Sequence, residues 1–378
     1  MHIAFLTPEY PNPKILHSAG IGTSIYNLAT ELVKQEHQVT VFVYSQNVDE
    51  VFHANGVTIQ KIAHKKYKFL GWYLYRKHLQ NTINKIVIEK GIQFIESPDW
   101  TGITAFMRLK CPIVIRIHGS DTYFCHLEQR KQKWKNKWFE FMALKRATRI
   151  IAVSEFSGTL TKKLFRLPVE IQTIYNGIDV EQFKPVNNGK EDILLYFGSI
   201  IRKKGVLELA EIYNKVIEQR PNTILQLVGK DVVDILEQKS TKELFLELLS
   251  DQAKKNIQFV EQVPYLLIQQ YLANASVVVL PSFAEAFPMT WLEAMAMKKA
   301  LVTSNIGWAN ELMIDNETGF IVNPKDYQVY ADRIIQLLDS AVLRTEFGEN
   351  ARNSIISNFS KEKIVKKNIE FYKSVIDA

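Results

Sequence analysis

Short apolar segments alternate with amphipathic helical segments through most of this chain. The first apolar segment is His2–Thr7, a helical periodicity follows at Thr23–Gln35, and a second apolar segment lies at Gln38–Tyr44. Nearly continuous apolar segments of this length are typical of strands that are buried on both faces of a parallel sheet. Their alternation with helices predicts an α/β fold built from doubly wound parallel sheets.

The same alternation predicts the remaining elements, and one segment interrupts it. Residues 183–190 are rich in Pro, Asn and Gly, which favours a linker there. We therefore predict an N-terminal domain over 1–185, a C-terminal domain over 190–358, and a final helix over 359–378 that could cross back to the N-terminal domain. The other predicted strands are Val57–Ile62, Ile92–Glu96, Pro112–Ile117, Arg149–Val153, Glu170–Tyr175, Ile193–Phe197, Thr223–Val228, Ile257–Val260, Val277–Leu280, Ala300–Thr303 and Gly319–Val322, and the other predicted helices are Trp72–Lys90, Glu128–Thr148 and Val206–Gln219.

Composition and charge narrow the class of protein. Of the 378 residues, 47% are hydrophobic and 23% are charged, as in an ordinary globular protein. Residues 1–185 hold 25 Lys and Arg against 15 Asp and Glu, and the remainder holds 22 against 25, so the two predicted domains differ in charge. The two cysteines, Cys111 and Cys125, have the spacing of neither a disulfide scaffold nor a zinc site.

Neither a membrane-spanning helix nor a signal peptide is predicted from the sequence. No apolar run approaches the ~18 residues that a membrane-spanning helix needs. The N-terminus has the composition of a first strand and not of a signal peptide. We therefore expect a cytoplasmic protein, or one that is peripheral on the cytoplasmic face of a membrane.

A glycine-rich loop, Gly20-Ile21-Gly22-Thr23, precedes the first helical pattern. It follows the first strand too late for a dinucleotide fingerprint, and the second strand lacks the acidic residue that binds a ribose, so NAD binding is disfavoured. No Walker A motif is present, which argues against an ATPase or GTPase. Two interpretations stay open: a tight helix entry, or glycines that let the backbone approach a phosphate at a helix N-terminus.

Two acidic residues, Glu285 and Glu293, lie eight positions apart in the C-terminal half. Pro288 is predicted at the first position of a helix, which places Glu285 in the preceding loop and Glu293 inside the helix. Because Glu293 has only uncharged neighbours from Ala286 to Met297, it is predicted to be a buried acid. It is either a structural carboxylate or an acceptor for vicinal hydroxyls such as those of a ribose, next to an anion site at the helix N-terminus.

These residues carry a family resemblance. The sequence resembles the group 1 glycosyltransferases of glycosyltransferase family 4, in the Glu285–Glu293 spacing and in three further stretches: Tyr175-Asn176-Gly177-Ile178-Asp179, Phe197-Gly198 to Lys204-Gly205, and Gly307-Trp308-Ala309-Asn310-Glu311. The resemblance implies a GT-B fold, with two Rossmann-like domains facing a cleft. It also implies retaining transfer of a sugar from a nucleoside-diphosphate sugar to a glycan or lipid-linked acceptor, in cell-surface polysaccharide or glycolipid synthesis, with no metal or other cofactor.

The resemblance assigns roles to individual residues. It implies that Lys204 faces the donor pyrophosphate, that His118 contacts the donor sugar near the reacting carbon, that Glu285 lies beside the sugar hydroxyls, and that Glu293 binds the ribose. Ser199 stands where the family usually has an arginine, so Arg202 is a candidate for the second cation. The other implied donor-binding residues are Gly20, Gly22, Phe287, Met289 and Thr290.

Two N-terminal stretches are both basic and aromatic, Lys61–Tyr73 and Lys131–Trp138. Within the second, Trp134, Trp138, Phe141 and Met142 share one face of a predicted helix. This face is either a core-facing stripe with a solvated basic side, or an interfacial helix on an anionic membrane. Nucleic-acid binding is disfavoured because no recognised module accompanies the lysines.

Two other functions compete with the transferase. One is another GT-B enzyme, a sugar phosphorylase or a nucleotide-sugar epimerase, which would share the phosphate site. The other is a non-catalytic protein that binds a nucleotide sugar or a glycan without turning over a donor.

Overall fold

The computed structural model describes residues 1–186 and 192–377, and the chain forms two compact units. The N-terminal unit is Met1–Gly177 together with the segment that begins at Phe359, and the C-terminal unit is Ile178–Asn358. The division therefore falls before the Pro-Asn-Gly segment in which the sequence analysis placed the linker. Residues 187–190 of that segment lie outside the described residues.

The N-terminal unit is built on an eight-stranded sheet in the order β3-β4-β2-β1-β5-β6-β7-β8. All neighbouring strands are parallel except β3 and β4. The strands are β1 (His2–Thr7), β2 (Gln38–Gln46), β3 (Glu50–Ala54), β4 (Val57–Ala63), β5 (Phe94–Pro98), β6 (Ile113–Ile117), β7 (Arg149–Ala152) and β8 (Gln172–Thr173). The helices of this unit are α1 (Gly20–Lys34), α2 (Gly71–Lys90), α3 (Asp121–Leu127), α4 (Trp134–Arg146), α5 (Glu155–Phe165) and α14 (Lys361–Ile376).

The C-terminal unit is built on a six-stranded parallel sheet in the order β11-β10-β9-β12-β13-β14. The strands are β9 (Ile193–Phe197), β10 (Ile224–Val228), β11 (Ile257–Val260), β12 (Val277–Leu280), β13 (Ala300–Ser304) and β14 (Phe320–Val322). The helices are α6 (Val206–Gln219), α7 (Thr241–Leu248), α8 (Asp251–Lys254), α9 (Ile268–Asn274), α10 (Met289–Ala296), α11 (Ala309–Leu312), α12 (Tyr327–Asp339) and α13 (Ala341–Asn358).

The first strand shows why these apolar segments fold as central strands. Successive side chains of a strand point to opposite faces of the sheet. In β1, Ile3 and Phe5 join the core formed with α1 and α14, whereas Ala4 and Leu6 join the core formed with α2. A central strand that is covered on both faces is expected to be apolar at successive positions, as Ile3, Ala4, Phe5 and Leu6 are in β1.

The C-terminal helix α14 belongs to the N-terminal unit. Its Tyr372 hydroxyl donates to Glu96 Oε2 over 2.7 Å, and its Asn368 accepts from Arg116. Arg116 and Glu96 form a buried ion pair, with Nε and Oε1 2.7 Å apart. Because both charges are paired and hydrogen-bonded, removal of either partner would leave a costly uncompensated charge.

One predicted helix is shorter in the structure than expected, and one observed strand was not expected from the sequence. The helix predicted over Glu128–Thr148 is α4, which begins only at Trp134, since α3 ends at Leu127 and Gln129 has a positive φ of 53°. The antiparallel strand β3 was not predicted. It forms a hairpin with β4 through Asn55 and Gly56, whose φ angles of 51° and 76° favour Asn and Gly.

Within residues 1–186 and 192–377, none of the helices is both long enough and apolar enough to cross a membrane.

Candidate active site

Helix α10 forms the base of the candidate site in the C-terminal unit. Its first residue is Met289, and Pro288 is the N-cap, with an extended ψ of 120°. The helix therefore begins one residue later than predicted, since Pro288 was expected to be its first residue. The backbone N–H groups of Met289 and Thr290 head the helix and have no acceptor within it. Because the side chains of Phe287 and Met289 are buried, only the backbone groups of these two residues could contact a ligand.

Glu293 lies in the middle of α10 and is 4% exposed. Burial raises the pKa of its carboxyl to about 8, while the Tyr265 hydroxyl and the charge of Lys204 act in the opposite direction. The prediction of a buried acid inside this helix is therefore confirmed by the structure. A ligand that donates hydrogen bonds to this buried carboxyl would stabilise its ionised form.

Lys204 and Glu285 form an ion pair, with Nζ and Oε1 3.1 Å apart. Lys204 ends a 3-10 turn, Arg202–Lys204, which follows strand β9. A Cβ on Gly198 would lie 3.2 Å from the Lys204 Nζ, so this glycine lets the ammonium group lie against the backbone at the strand end. The Ser282 hydroxyl donates to Glu285 Oε1 over 3.3 Å and helps to hold the carboxylate.

The loops after β9 and β12 are joined through their backbones. The N–H of Phe283 donates to the carbonyl of Lys203 over 2.8 Å. Gly205 has φ of 69°, and a Cβ there would come within 2.0 Å of the Pro281 carbonyl oxygen. Only glycine permits this approach, and the approach sets the distance between Lys204 and Glu285.

Arg202 is held in a different ion pair. Its Nε lies 2.7 Å from Asp234 Oδ2 and its Nη2 3.1 Å from Oδ1. Asp234 is buried and also accepts the N–H groups of Leu236 and Glu237. The guanidinium of Arg202 thus anchors a loop, and the structure brings Lys204, not Arg202, to Glu285. Ser199 presents its carbonyl oxygen to the hydroxyl of Tyr196 over 2.7 Å.

His118 lies at the carboxyl end of β6 in the N-terminal unit. Burial, with the nearby charge of Arg116, lowers the pKa of its imidazole to about 3, so the ring is neutral at physiological pH. A neutral imidazole offers one donor and one acceptor and supplies no proton as an acid. Its backbone N–H donates to Asp99 Oδ1 over 2.9 Å.

Asp99 is a candidate site residue that the sequence analysis missed. It follows β5, the neighbour of β6, and burial raises the pKa of its carboxyl to about 8. Its Oδ2 atom finds no hydrogen-bond partner among the described residues. The available signal was an acid directly after a buried strand, where α/β sheets place ligands.

Gly20 and Gly22 open helix α1. The N–H of Gly22 donates to Glu9 Oε1 over 2.7 Å, and burial raises the pKa of that carboxyl. A Cβ on Gly22 would lie only 3.0 Å from the backbone of Glu9, so tight packing explains this glycine. A Cβ on Gly20 would meet nothing within 4 Å, which leaves Gly20 accessible to a ligand.

No cluster of three or more His, Cys, Asp or Glu side chains that could hold a metal ion occurs in the described parts of the chain. The site chemistry that the structure does supply is a lysine–carboxylate pair, a buried acid and a helix N-terminus in the C-terminal unit, and a neutral histidine with a buried acid in the N-terminal unit.

Family profiles match both units. The profile described as "Glycosyl transferases group 1" matches residues 178–354, and that described as "Glycosyltransferase Family 4" matches residues 18–182. An uncharacterised glycosyltransferase of Methanocaldococcus jannaschii is 25% identical over 100% of this chain and 99% of its own length. Alpha-maltose-1-phosphate synthase of Mycolicibacterium smegmatis is 26% identical over 99% of this chain and 100% of its own. A galactosyltransferase of Escherichia coli that acts on a diphosphoundecaprenol-linked sugar is 28% identical over 69% and 68% of the two chains.

Solved structures share the fold. Sucrose-phosphate synthase of Thermosynechococcus elongatus superposes with a TM-score of 0.84 at 20% identity, covering 100% of this chain and 99% of its own. HepE of Anabaena, in complex with UDP and glucose, superposes with a TM-score of 0.77 at 18% identity, covering 99% and 100%. The fold is therefore GT-B, as expected from the sequence.

The chain belongs to the group 1 glycosyltransferases. It is an enzyme that transfers a glycosyl group, of the EC 2.4 class, and this prediction from the sequence is confirmed.

Proposed function

We propose that this glycosyltransferase uses a nucleoside-diphosphate sugar whose nucleotide is bound by the C-terminal unit. The observation that carries the proposal is the Lys204–Glu285 pair, with its 3.1 Å separation, beside the buried Glu293. Structures of HepE contain UDP and UDP-glucose, which supports a donor of this chemistry.

Lys204 has the chemistry to stabilise the leaving group. As the glycosidic bond breaks, negative charge accumulates on the departing diphosphate, and a fixed cation near that charge lowers the barrier. The N–H groups of Met289 and Thr290 at the start of α10 add two donors and the positive end of the helix dipole. Glu285, held by Lys204, is proposed to accept a hydrogen bond from a hydroxyl group of the donor sugar.

Glu293 is proposed to bind the ribose. A pair of vicinal hydroxyls would donate to the carboxylate and replace the hydration that burial removes. Because the pKa is about 8 before ligand binds, nucleotide binding would favour loss of the proton from this carboxyl.

His118 is proposed to position the donor sugar as a neutral hydrogen-bonding group. With its pKa near 3, the ring accepts or donates one hydrogen bond at a sugar hydroxyl and does not act as a general acid. Asp99 holds the backbone of His118 in place by accepting a hydrogen bond from the His118 N–H.

Retention at the anomeric carbon is proposed to occur by departure and attack on the same face. A double displacement would need an ionised carboxylate nucleophile. Asp99, the acid beside His118, is buried, and with a pKa of about 8 it is largely protonated at neutral pH. That state is a poor nucleophile, so the leaving phosphate is the base that we assign to the acceptor hydroxyl. The proposed chemistry needs no metal ion.

The acceptor is proposed to be a glycan or a lipid-linked sugar in cell-surface polysaccharide or glycolipid synthesis. A Staphylococcus aureus relative, 26% identical over 59% of this chain, is named a capsular polysaccharide biosynthesis glycosyltransferase. The name of the E. coli relative specifies a diphosphoundecaprenol acceptor and an alpha-1,3 product. An enzyme with such an acceptor would work at the cytoplasmic face of a membrane.

The test is slow donor hydrolysis with a panel of nucleotide sugars, in excess EDTA. We expect one donor to release free sugar and nucleoside diphosphate at a rate unchanged by EDTA. Release of sugar 1-phosphate from an oligosaccharide and inorganic phosphate, with no nucleotide sugar added, would indicate a phosphorylase, and an epimerised nucleotide sugar would indicate an epimerase. Turnover that is lost in EDTA and restored by Mg²⁺ or Mn²⁺ would contradict the metal-free mechanism.

A further inference from the structure

The two basic and aromatic stretches of the sequence meet in the N-terminal unit. The ring centroids of Trp72, from the first stretch, and Trp138, from the second, are 6.1 Å apart. The rings of Trp72 and Phe139 lie 4.9 Å apart in a tilted arrangement, and those of Trp134 and Trp138 lie 6.4 Å apart. We call residues 64–74 and 131–138 together the basic aromatic surface.

Helix α4 does not bury the face that carries its tryptophans. Its core side consists of Phe139, Glu140, Ala143 and Leu144. Trp134 is 70% exposed and Trp138 is 40% exposed. Phe141 of the same face packs against a core cluster and Met142 is half-buried, so the core-facing interpretation holds for the C-terminal part of the face. The two tryptophans at its N-terminal end are exposed and remain open to an interfacial role.

The loop before α2 adds an apolar tip to the same surface. Phe69 is 81% exposed and Leu70, next to it, is 62% exposed. Leu70 is the N-cap of α2 with a left-handed backbone, so the chain turns sharply at this point. Adjacent large apolar side chains in water carry a hydrophobic cost that an apolar environment removes. Exposed apolar patches of this kind mark interaction surfaces.

The two stretches also carry seven lysines that have no acidic partners within the described residues. All are exposed, and within the described residues none of them forms an ion pair, nor does either stretch contain an acid. The acids on and beside α3 and α4 have other partners. Asp121 and Glu128 form ion pairs with Arg130, and Glu140 accepts hydrogen bonds from the backbone N–H groups of Asp121 and Thr122 at the start of α3. The seven lysines are Lys65, Lys66, Lys68, Lys131, Lys133, Lys135 and Lys137.

Positive charge continues along α4 toward its C-terminal end. A cavity of about 560 Å³ there is lined in part by the buried side chains of Leu144 and Leu167. Lys145, Arg149, Arg166 and Glu170 also line it, and none of the three cations forms an ion pair among the described residues. The unpaired cations therefore extend beyond the basic aromatic surface.

We infer that the basic aromatic surface binds an anionic membrane, with Phe69, Leu70 and Trp134 in the head-group region and the seven lysines against lipid head groups. Exposed apolar side chains and unpaired lysines on stretches that meet through Trp72 and Trp138 match the two attractions that hold a protein at a lipid interface, apolar insertion and attraction to anionic head groups. The lipid-linked acceptor of the proposed function would be reached from this surface, and to that extent the inference rests on it. Vesicle binding itself needs no donor, so the two are tested separately.

The experiment is co-sedimentation of the full chain with vesicles of phosphatidylcholine and phosphatidylglycerol, and of phosphatidylcholine alone, at low and high salt. We expect binding to the anionic vesicles only, weakened strongly by salt. Changing Lys131, Lys133, Lys135 and Lys137 together to Gln should lower the partition coefficient about 100-fold or more. The matched control changes four exposed lysines elsewhere in the same unit to Gln and should have a much smaller effect; these are Lys90, Lys110, Lys162 and Lys163.

A second pair of variants tests the apolar tip. Phe69→Ser with Leu70→Ser should lower anionic vesicle binding about tenfold or more without changing its salt dependence. Ile88→Ser, at a 69% exposed position on α2, is the control and should have no effect. The melting temperature and circular dichroism of each variant establish that it is folded, and donor hydrolysis in solution should be unchanged in all of them.

Three results would overturn the inference. The first is a native protein that does not sediment with anionic vesicles at low salt. The second is an equal loss of binding in the target and control variants. The third is tighter binding to single-stranded RNA, or a dimer that the Phe69 and Leu70 changes abolish, since either would assign the surface to another partner. If no nucleotide sugar were hydrolysed while vesicle binding behaved as predicted, the proposed function would fail and the membrane surface would stand.

Discussion

The two units of this enzyme use their charged side chains in opposite ways. In the C-terminal unit, Lys204 is paired with Glu285, and Glu293 is buried. On the basic aromatic surface of the N-terminal unit, seven lysines are exposed and unpaired within the described residues. Charges that are paired and sheltered from solvent interact mainly with groups in direct contact, which is suitable for binding a small ligand and stabilising its reaction. Unpaired, exposed charges sum into a field that reaches about a Debye length and suits a large anionic partner.

The comparison predicts that salt separates the two regions. Vesicle binding should fall steeply with ionic strength, whereas nucleotide binding at the sheltered site should fall much less. Variants of the C-terminal site sharpen the comparison, because they should change chemistry and leave vesicle binding intact.

The largest effect is expected for Lys204→Gln. Loss of the cation beside the developing phosphate charge should lower kcat for donor hydrolysis about 100- to 1,000-fold, with a smaller change in nucleoside diphosphate affinity. Single-turnover hydrolysis and calorimetric titration separate the two quantities. Lys255→Gln, an exposed lysine of the same unit, is the control. Equal kcat in the Lys204 variant and this control would remove Lys204 from the mechanism.

The next largest effect is expected for Glu293→Gln. Neutralising the carboxylate removes a charge-assisted hydrogen bond worth about 1.5–3 kcal/mol, which corresponds to roughly 10- to 100-fold weaker nucleoside diphosphate binding. The measurement belongs at pH 9, where the native carboxyl is ionised. Glu346→Gln, at an exposed position on α13, controls for the loss of one negative charge. Unchanged affinity in a folded Glu293→Gln variant would reject the ribose role.

A smaller effect is expected on stability. The pKa of Glu293 and that of Asp99 are both about 8 in the folded chain, above their unfolded values. Each group therefore favours the folded state below pH ~4 and loses that contribution as the pH rises toward 8, by at most about 1.4 kcal/mol per pH unit. Urea unfolding between pH 5 and 8 should show this decline, and Asp99→Asn with Glu293→Gln should flatten it. The same slope in the double variant would mean that neither acid has a raised pKa.

The sequence predicted Glu293 well and Asp99 not at all, and the reason is physical. The burial of Glu293 could be predicted from its own helix, whose apolar residues are visible in the sequence, whereas its contacts with Tyr265 and Lys204 could not. The surroundings of Asp99 depend on β5 lying next to β6, so that the Asp99 carboxylate meets the His118 backbone. That long-range pairing cannot be derived from local composition.

The fold shows the same division between local and long-range information. Strands such as β1 and β9 were predicted with their observed bounds, because continuous apolar runs between polar turns specify them locally. The hairpin of β3 was overlooked although Asn55-Gly56 is a strong turn signal. The convergence of Trp72 and Trp138 could not be foreseen, since it depends on the packing of α2 beside α4.

The most direct test of the donor site is the pH dependence of nucleoside diphosphate affinity between pH 7 and 9. If the ionised Glu293 binds the ribose, binding must remove its proton below pH ~8, so affinity should rise about fivefold from pH 7 to 8 and less than about twofold from pH 8 to 9. The Glu293→Gln variant should show no such rise. Identical pH profiles for the native protein and the variant would contradict the account.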